Sequence, residues 1–524
     1  MNMNRIKLLS GLLAMATATG TWAGPDLLEQ GRRIYAEGIL PDGSLLKSVG
    51  AGGVAVEGVK AACGLCHRRS GMGSQEGSIP VSPVTGRALY TKPVWHWPNR
   101  PGYAAQKVAP LRQYSRAAYD DASLVRALRK GIDSSGRPLH KLMPRYKLDT
   151  IGARALVAYL RQLSAAPVPG LGRDGMQLAT IVTQDAEEVR RQVVAETLGA
   201  WSRSGALGGI PISMQVWNLE GPASTWGRQL QDYYRRQPVF AVISGAGRSQ
   251  WTPVRDFCEQ TALPCLFPIV DLAPSDPDDF YTMYFSTGVP LEARMLASYL
   301  NDLAPEPARI VQIVDDEAGE AAAGRLSAAL DGPPVVTRRW DGERAAGLIG
   351  DLGPADVLVG WLRPPALKAL AAALPQGPAT DRIILSAQLA PPDRTDLPPA
   401  WRQRARWISA RSDPQRLQGR GVIGLVPWMA HLNLPMNEEA LLSEVYASTY
   451  YFGDALARMR GGRWNREYLL ETLENGGYFR PAGAAYFSLS LGPGQREAAK
   501  GGHLLGYAGP DYTQLVKTGP RITP

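Results

Sequence analysis

The spacing of apolar positions changes character along this chain. At the start, Arg5 and Lys7 precede an unbroken apolar run, LLSGLLAMA, which gives way to small residues around Thr21-Trp22-Ala23. A basic start, a short apolar stretch and a small-residue end form the pattern of a cleavable export signal over 1–23. The run is shorter than the ~20 apolar residues a bilayer span needs, and no other stretch reaches that length. Further on, DDASLVRALRKGID and IGARALVAYLRQL repeat apolar residues at helical intervals. Beyond residue 175 the period alternates. MQLATIVTQ, ISMQVWNL, VFAVIS, LPCLFPIV, YTMYFS, RIVQIVD, DVLVGW and RIILSA read as strands. Between them AEEVRRQVVAETLGAW, WGRQLQDYYRRQ, a run from about Arg248 to Thr261, LEARMLASYLNDL, EAAAGRLSAAL and PALKALAAAL read as helices. Such alternation implies parallel sheets with right-handed crossovers, and 176–524 is too long for one ordinary sheet, so two α/β lobes are expected.

The Pro- and Gly-containing stretch AAPVPGLGRDG separates the two regimes and marks a linker over 166–175. Charge divides the chain at the same place. Residues 24–166 hold 21 Lys and Arg against 10 Asp and Glu, whereas 167–524 are slightly acidic. A basic balance confined to one small domain argues against nucleic acid as the partner. It points to an acidic docking face on another protein, steered by Arg126, Arg129, Lys130, Lys141, Arg145 and Lys147.

The four cysteines fall into two pairs. Cys63-Gly64-Leu65-Cys66-His67 has the spacing of covalent haem attachment, with thioethers from Cys63 and Cys66 and iron ligation by His67. A thioredoxin-like pair has no need of the histidine, and a zinc site lacks two nearby ligands. For the sixth iron position the candidates are Met72, Met143, His96 and His140. Met143 is favoured, on a loop stiffened by Pro144, with His140 next; a thioether there raises the potential relative to two imidazoles. The second pair, Cys258 and Cys265, is close enough in sequence to form a disulfide in an oxidising compartment.

LLEQGRRIYAEG, CGLCHRRSGMGSQEG, VRALRKGIDSSGRPLHKLMPRY and IGARALVAYLRQL together resemble a class I c-type cytochrome domain over 24–165. The resemblance implies an all-α fold in which an N-terminal helix crosses a C-terminal one, and one covalent haem c held by Cys63, Cys66, His67 and Met143. The stretch 68–142 is longer than in compact members of that family, and includes an aromatic, Pro-rich insert at 90–103. VFAVISGAGRSQWTPVRDFCEQTALPCLFP, YFSTGVPLEARMLASYL, RIVQIVDDEAGEAAAGRL and SLSLGPGQREAAKGGHLLGY resemble the type 1 periplasmic binding proteins associated with amino-acid and amide importers. That likeness implies a two-lobed domain over 176–524 with a ligand between the lobes.

Ser244, Gly245, Arg248 and Ser249 lie between a buried strand and a helix start. Exposed N–H groups, hydroxyls and a guanidinium there suit a small carboxylate or amino-acid-like ligand. Asp271 and the Asp315-Asp316 pair follow strands and suit a ligand ammonium. The principal reading is a periplasmic mono-haem cytochrome that passes single electrons to a redox partner protein, with the second domain docking that partner or sensing a small ligand. The alternative is a periplasmic solute-binding receptor with the haem as accessory. No Gly-x-Ser-x-Gly elbow, phosphate loop or metal triad marks an enzyme.

Overall fold

A computed structural model describes residues 25–524 apart from 77–78, 93–115, 208–209, 343–344, 413–423, 460–463, 476–484, 487–488 and 510. The proposed export signal, His96 and most of the aromatic insert lie outside the described residues. The chain forms two compact units that divide between Ala166 and Pro167.

In the first unit, helix α1 (Pro25–Glu37) packs against α3 (Thr150–Gln162). Gly31 permits the approach, since a Cβ there would lie 2.2 Å from the Ala155 carbonyl oxygen. Helix α2 (Asp121–Lys130) is fixed at its start by a reciprocal Asp120–Ser123 cap and ends on Gly131 in the left-handed region. The unit is not all-α as expected. Strands β1 (Lys47–Val49), β2 (Ala55–Glu57) and β3 (Arg145–Lys147) form an antiparallel sheet in the order β2-β1-β3. Ile34, Tyr35, Leu46, Leu124, Tyr146 and Leu156 lie in the core that joins helices and sheet.

The second unit contains two sheets. In lobe 1, β4 (Gly175–Thr183), β5 (Ile210–Leu219), β6 (Ala241–Ile243), β7 (Cys265–Leu266) and β8 (Thr282–Met283) run parallel in the order β8-β7-β6-β4-β5. Leu171 and Gly172, within the expected linker, pair with Met176 and Gly175 and so belong to this sheet. Helices α4 (Glu188–Arg203), α5 (Trp226–Arg236) and α6 (Thr252–Gln260) connect its strands.

Phe285–Gly288 carry the chain to lobe 2, where α7 (Val289–Asn301) leads into β9 (Ile310–Val314), α8 (Glu317–Ala329), β10 (Val335–Arg339), β11 (Val357–Trp361), α9 (Pro364–Ala373), β12 (Ile383–Ser386) and β13 (Ala405–Ser409). The chain then returns to lobe 1 for α10 (Leu425–Leu432), α11 (Glu439–Arg458) and α12 (Arg466–Glu474). It crosses again to close lobe 2 with β14 (Gly502–Ala508) and β15 (Gln514–Ile522). The second sheet has the order β10-β9-β11-β12-β13-β14-β15, parallel through β13 and antiparallel at its last two strands. Fully buried strands such as IVQIV and VLVGW are what a parallel sheet covered on both faces requires.

Candidate functional site

Open α/β sheets bind ligands outside the carboxyl ends of their strands, because loops and helix starts converge there. Both sheets of the second unit direct those ends at each other. Asp271 follows β7, Asp315 and Asp316 follow β9, Arg363 follows β11 and Gln388 follows β12. Arg190, on the first turns of α4, joins them from lobe 1.

The centre of the crevice is Asp271, fully buried. Arg190 reaches its Oδ1 with both terminal nitrogens at 3.1 Å, and Gln388 Nε2 donates to the same oxygen at 2.9 Å. Arg363 Nη1 donates to Oδ2 at 2.7 Å from the other lobe. Burial by itself would raise the Asp271 pKa, but the two guanidinium groups outweigh it and hold the carboxyl well below the usual range. Arg363 also donates from Nε to Asp316 at 2.8 Å, while its backbone N–H caps Asp315 at 2.8 Å. Burial raises the Asp315 carboxyl.

Behind this centre, Glu292 on α7 accepts from the Ser386 hydroxyl and, at 3.0 Å, from the Gln388 backbone N–H. Burial pushes its carboxyl up to about 8 despite those bonds. Among the described residues, Ser244 Oγ, Arg190 Nε, Arg363 Nη2 and Asp315 Oδ1 are buried without a hydrogen-bond partner.

The residues expected to form the ligand site are only partly brought together. Arg248 does face the crevice, 3.3 Å from Asp316 and 3.9 Å from Asp271. Ser244 and Gly245 kink the chain after β6, with φ values of 55° and 145°. A Cβ on Gly245 would crowd the Ile181 carbonyl oxygen at 2.9 Å, so glycine is needed. Part of the backbone in this loop is taken up by neighbouring segments. Ser244 donates to Leu266, Ala246 to Ile181 and Gly247 to Ile269. Ser249 does not cap the helix, which begins at Thr252 after Trp251. Arg190, Arg363, Gln388 and Glu292 were not anticipated. The strand-end rule that selected Asp271 and Asp315 would also have selected Arg363, two residues after DVLVGW, and Gln388, two residues after β12.

Cys258 and Cys265 form a disulfide with Cα atoms 6.2 Å apart. In the first unit Cys63 is buried and Cys66 exposed, both as free thiols. Burial pushes the Cys63 thiol up to about 12, against a hydrogen bond with Tyr146. His67 Nδ1 lies 2.9 Å from the Ser82 carbonyl oxygen, and burial lowers its pKa. Met143 packs half-buried against the unit's core, its N–H donating to His140.

No protein-family model matches the chain, and no curated protein matches it. Solved structures do. A leucine-binding protein from Thermotoga maritima is 12% identical, with a TM-score of 0.51 over 67% of this chain and 99% of that one. The second unit thus has a two-lobed α/β fold like that of periplasmic binding proteins. A branched-chain amino acid ABC transporter protein from Thermus thermophilus, solved with valine, gives 11% identity and a TM-score of 0.51 over 67% and 97%. A solute-binding protein from Rhodopseudomonas palustris BisB5, solved with 3,4-dihydroxybenzoic acid, gives 9% and 0.51 over 67% and 98%.

This likeness corrects the principal reading of the sequence. The two thirds of the chain that match share the fold of solute-binding proteins, which does not support one-electron transfer to a redox partner and fits the alternative reading better. The haem c expectation is corrected with it. The matched structures are described as binding proteins for small molecules. Among the described residues, no group of three or more His, Cys, Asp or Glu is gathered to hold a metal ion. No described helix is long and apolar enough to cross a membrane.

Proposed function

We propose that this chain is a periplasmic solute-binding receptor that takes a small carboxylate or amino-acid-like molecule between the lobes of its second unit. The observation that carries the reading is the convergence of strand ends from both sheets on one polar crevice. Guanidinium groups and unpartnered polar atoms there match the two ends of such a molecule. Arg248 and the Ser244 and Ser249 hydroxyls, beside Gly245, form the lobe 1 side that receives the carboxylate. Asp315, with its free oxygen, receives an ammonium group. Export by the 1–23 segment, and an accessory domain over 24–165 joined through 166–175, complete the proposal. Binding needs no reaction chemistry, so no catalytic residue is assigned.

The test is thermal-shift screening of the full chain against leucine, valine, glutamate and 3,4-dihydroxybenzoate, followed by calorimetric titration. Saturable binding that Arg248→Ala weakens at least tenfold supports the proposal. A flat response to this panel, with Arg248→Ala indistinguishable from the parent, overturns it.

A further inference from the structure

In a two-lobed receptor the solute ordinarily supplies the bonds that favour closure, because a ligand shifts a conformational equilibrium only by its differential affinity for the two states. Here the chain makes such bonds with its own side chains. Arg363, of lobe 2, donates to Asp271 of lobe 1 at 2.7 Å, and Gln388 of lobe 2 donates to the other oxygen of that carboxylate at 2.9 Å. On one side of this pair, Arg248 of lobe 1 meets Asp316 of lobe 2 at 3.3 Å, and Gln250 donates to Glu317. A further pair of contacts crosses the lobes at Arg394, of lobe 2, which pairs with Glu438 at the start of α11 and lies 3.9 Å from Glu187 at the start of α4, both in lobe 1.

We propose that Asp271 and Arg363 form an internal latch that holds the lobes closed with no solute present, the Asp271 carboxylate standing in for a ligand anion. The latch concerns the same crevice as the proposed receptor function but does not depend on any solute binding there. Three features favour it. The pair is central and buried, Asp271 at 0% and Arg363 at 8% exposure, so salt screens it far less than a surface pair. Arg363 is shared between Asp271 and Asp316, so swinging the lobes apart removes it from Asp271 and parts Arg248 from Asp316 in the same motion. Arg190 belongs to the same lobe as Asp271, which keeps the carboxylate ionised and in place to be re-engaged. Solute then enters only from the opened minority, and its apparent affinity is reduced by that fraction.

The experiment measures the distance between the lobes in the full, solute-free chain. Spin labels are attached through keto-bearing residues at Arg228 on α5 and Lys368 on α9, which leaves the native cysteines untouched. The parent should give one narrow distance population. Arg363→Gln should add a second population that becomes the majority, and Gln388→Ala a smaller one. A parent that already populates two distances overturns the latch, as does an Arg363→Gln protein with an unchanged distribution. If Arg363→Gln fails to fold, Gln388→Ala decides alone, and an unchanged distribution there counts against the latch. No solute is added, so failure of the receptor reading in the binding screen leaves this result intact.

Discussion

Asp271 and Asp351 make an informative pair, because each accepts from two arginines and each is held well below the usual carboxylate range. They differ in burial. Asp351 is 50% exposed and bonds Arg338 at 2.7 Å and Arg309 at 3.1 Å on the surface. Asp271 is fully buried, and its partner Arg190 is 6% exposed and anchored to the Gly247 carbonyl at 2.7 Å. Asp271→Asn keeps the shape but removes the charge, stranding the Arg190 guanidinium inside lobe 1. Breaking a buried pair costs about 3–5 kcal/mol. Arg363 can still turn to Asp316 or to water as the lobes part, so the expected loss is about 3 kcal/mol, at the lower end of that range. Asp351→Asn should cost less than about 1 kcal/mol, since exposed pairs are screened by solvent. Urea unfolding at pH 7, followed by circular dichroism, measures both. A folded-state pKa below the unfolded value means that the Asp271 contribution is complete above about pH 4 and is lost as pH falls through the folded value. The parent and Asp271→Asn should therefore converge only in strong acid. Equal losses at the two sites, or a loss below about 1 kcal/mol at Asp271, would refute the role given to burial.

Glu292 titrates in the opposite sense. Its folded pKa of about 8 lies above the unfolded value, so stability should fall as pH rises from about 4 to about 8 and then level off. Glu292→Gln should remove that slope and be the more stable protein at pH 9 by more than about 1 kcal/mol; parallel pH curves would contradict this. Gly288, in the first crossover, has φ 75°, and a Cβ there would lie 2.1 Å from the Asp271 carbonyl oxygen. Gly494 has φ 76° with nothing within 4 Å. Gly288→Ala should therefore cost more than Gly494→Ala, which meets only the ~1–2 kcal/mol backbone penalty; equal melting-point shifts would show the close approach to be unimportant. Replacing Cys258 and Cys265 together by serine releases a short closed loop and should cost about 2.5 kcal/mol in urea unfolding, a loss under about 1 kcal/mol arguing against the loop-closure account.

Much of the second unit was legible because its inner strands are buried on both faces and its helices carry an apolar stripe. Runs such as RIVQIVD and DVLVGW cannot be mistaken for loops. The crevice was legible only in part. Asp271 and the Asp315-Asp316 pair could be picked out as acids after strands, but their partners could not. Arg363 lies 92 positions from Asp271, and the pairing exists only because the chain crosses between lobes. The amides of Ser244 and Ala246 are taken up by Leu266 of β7 and Ile181 of β4, which run alongside and which the local sequence does not show. In the first unit the sheet was missed because KSV, AVE and RYK are too short to display a two-residue period. There the spacing of Cys63, Cys66 and His67 is local, whereas their contacts with Tyr146 and Ser82 depend on how the unit folds.

The three passages of the chain between the lobes also govern the order in which this protein can be built. The lobe 1 sheet is complete in sequence by Met283, yet α11, whose Phe452 packs 6.5 Å from Phe240 just before β6, lies beyond the last parallel strand of lobe 2. A chain emerging from the ribosome, or crossing a membrane N-terminus first, therefore carries lobe 1 with an uncovered apolar face throughout the synthesis of most of lobe 2. Lobe 2 in turn waits for β14 and β15. Lobe 1 receives its last helix only with α12 and lobe 2 its last strands only with β14 and β15, so truncation between β13 and α11 leaves both lobes unfinished, and truncation before β14 still leaves lobe 2 open.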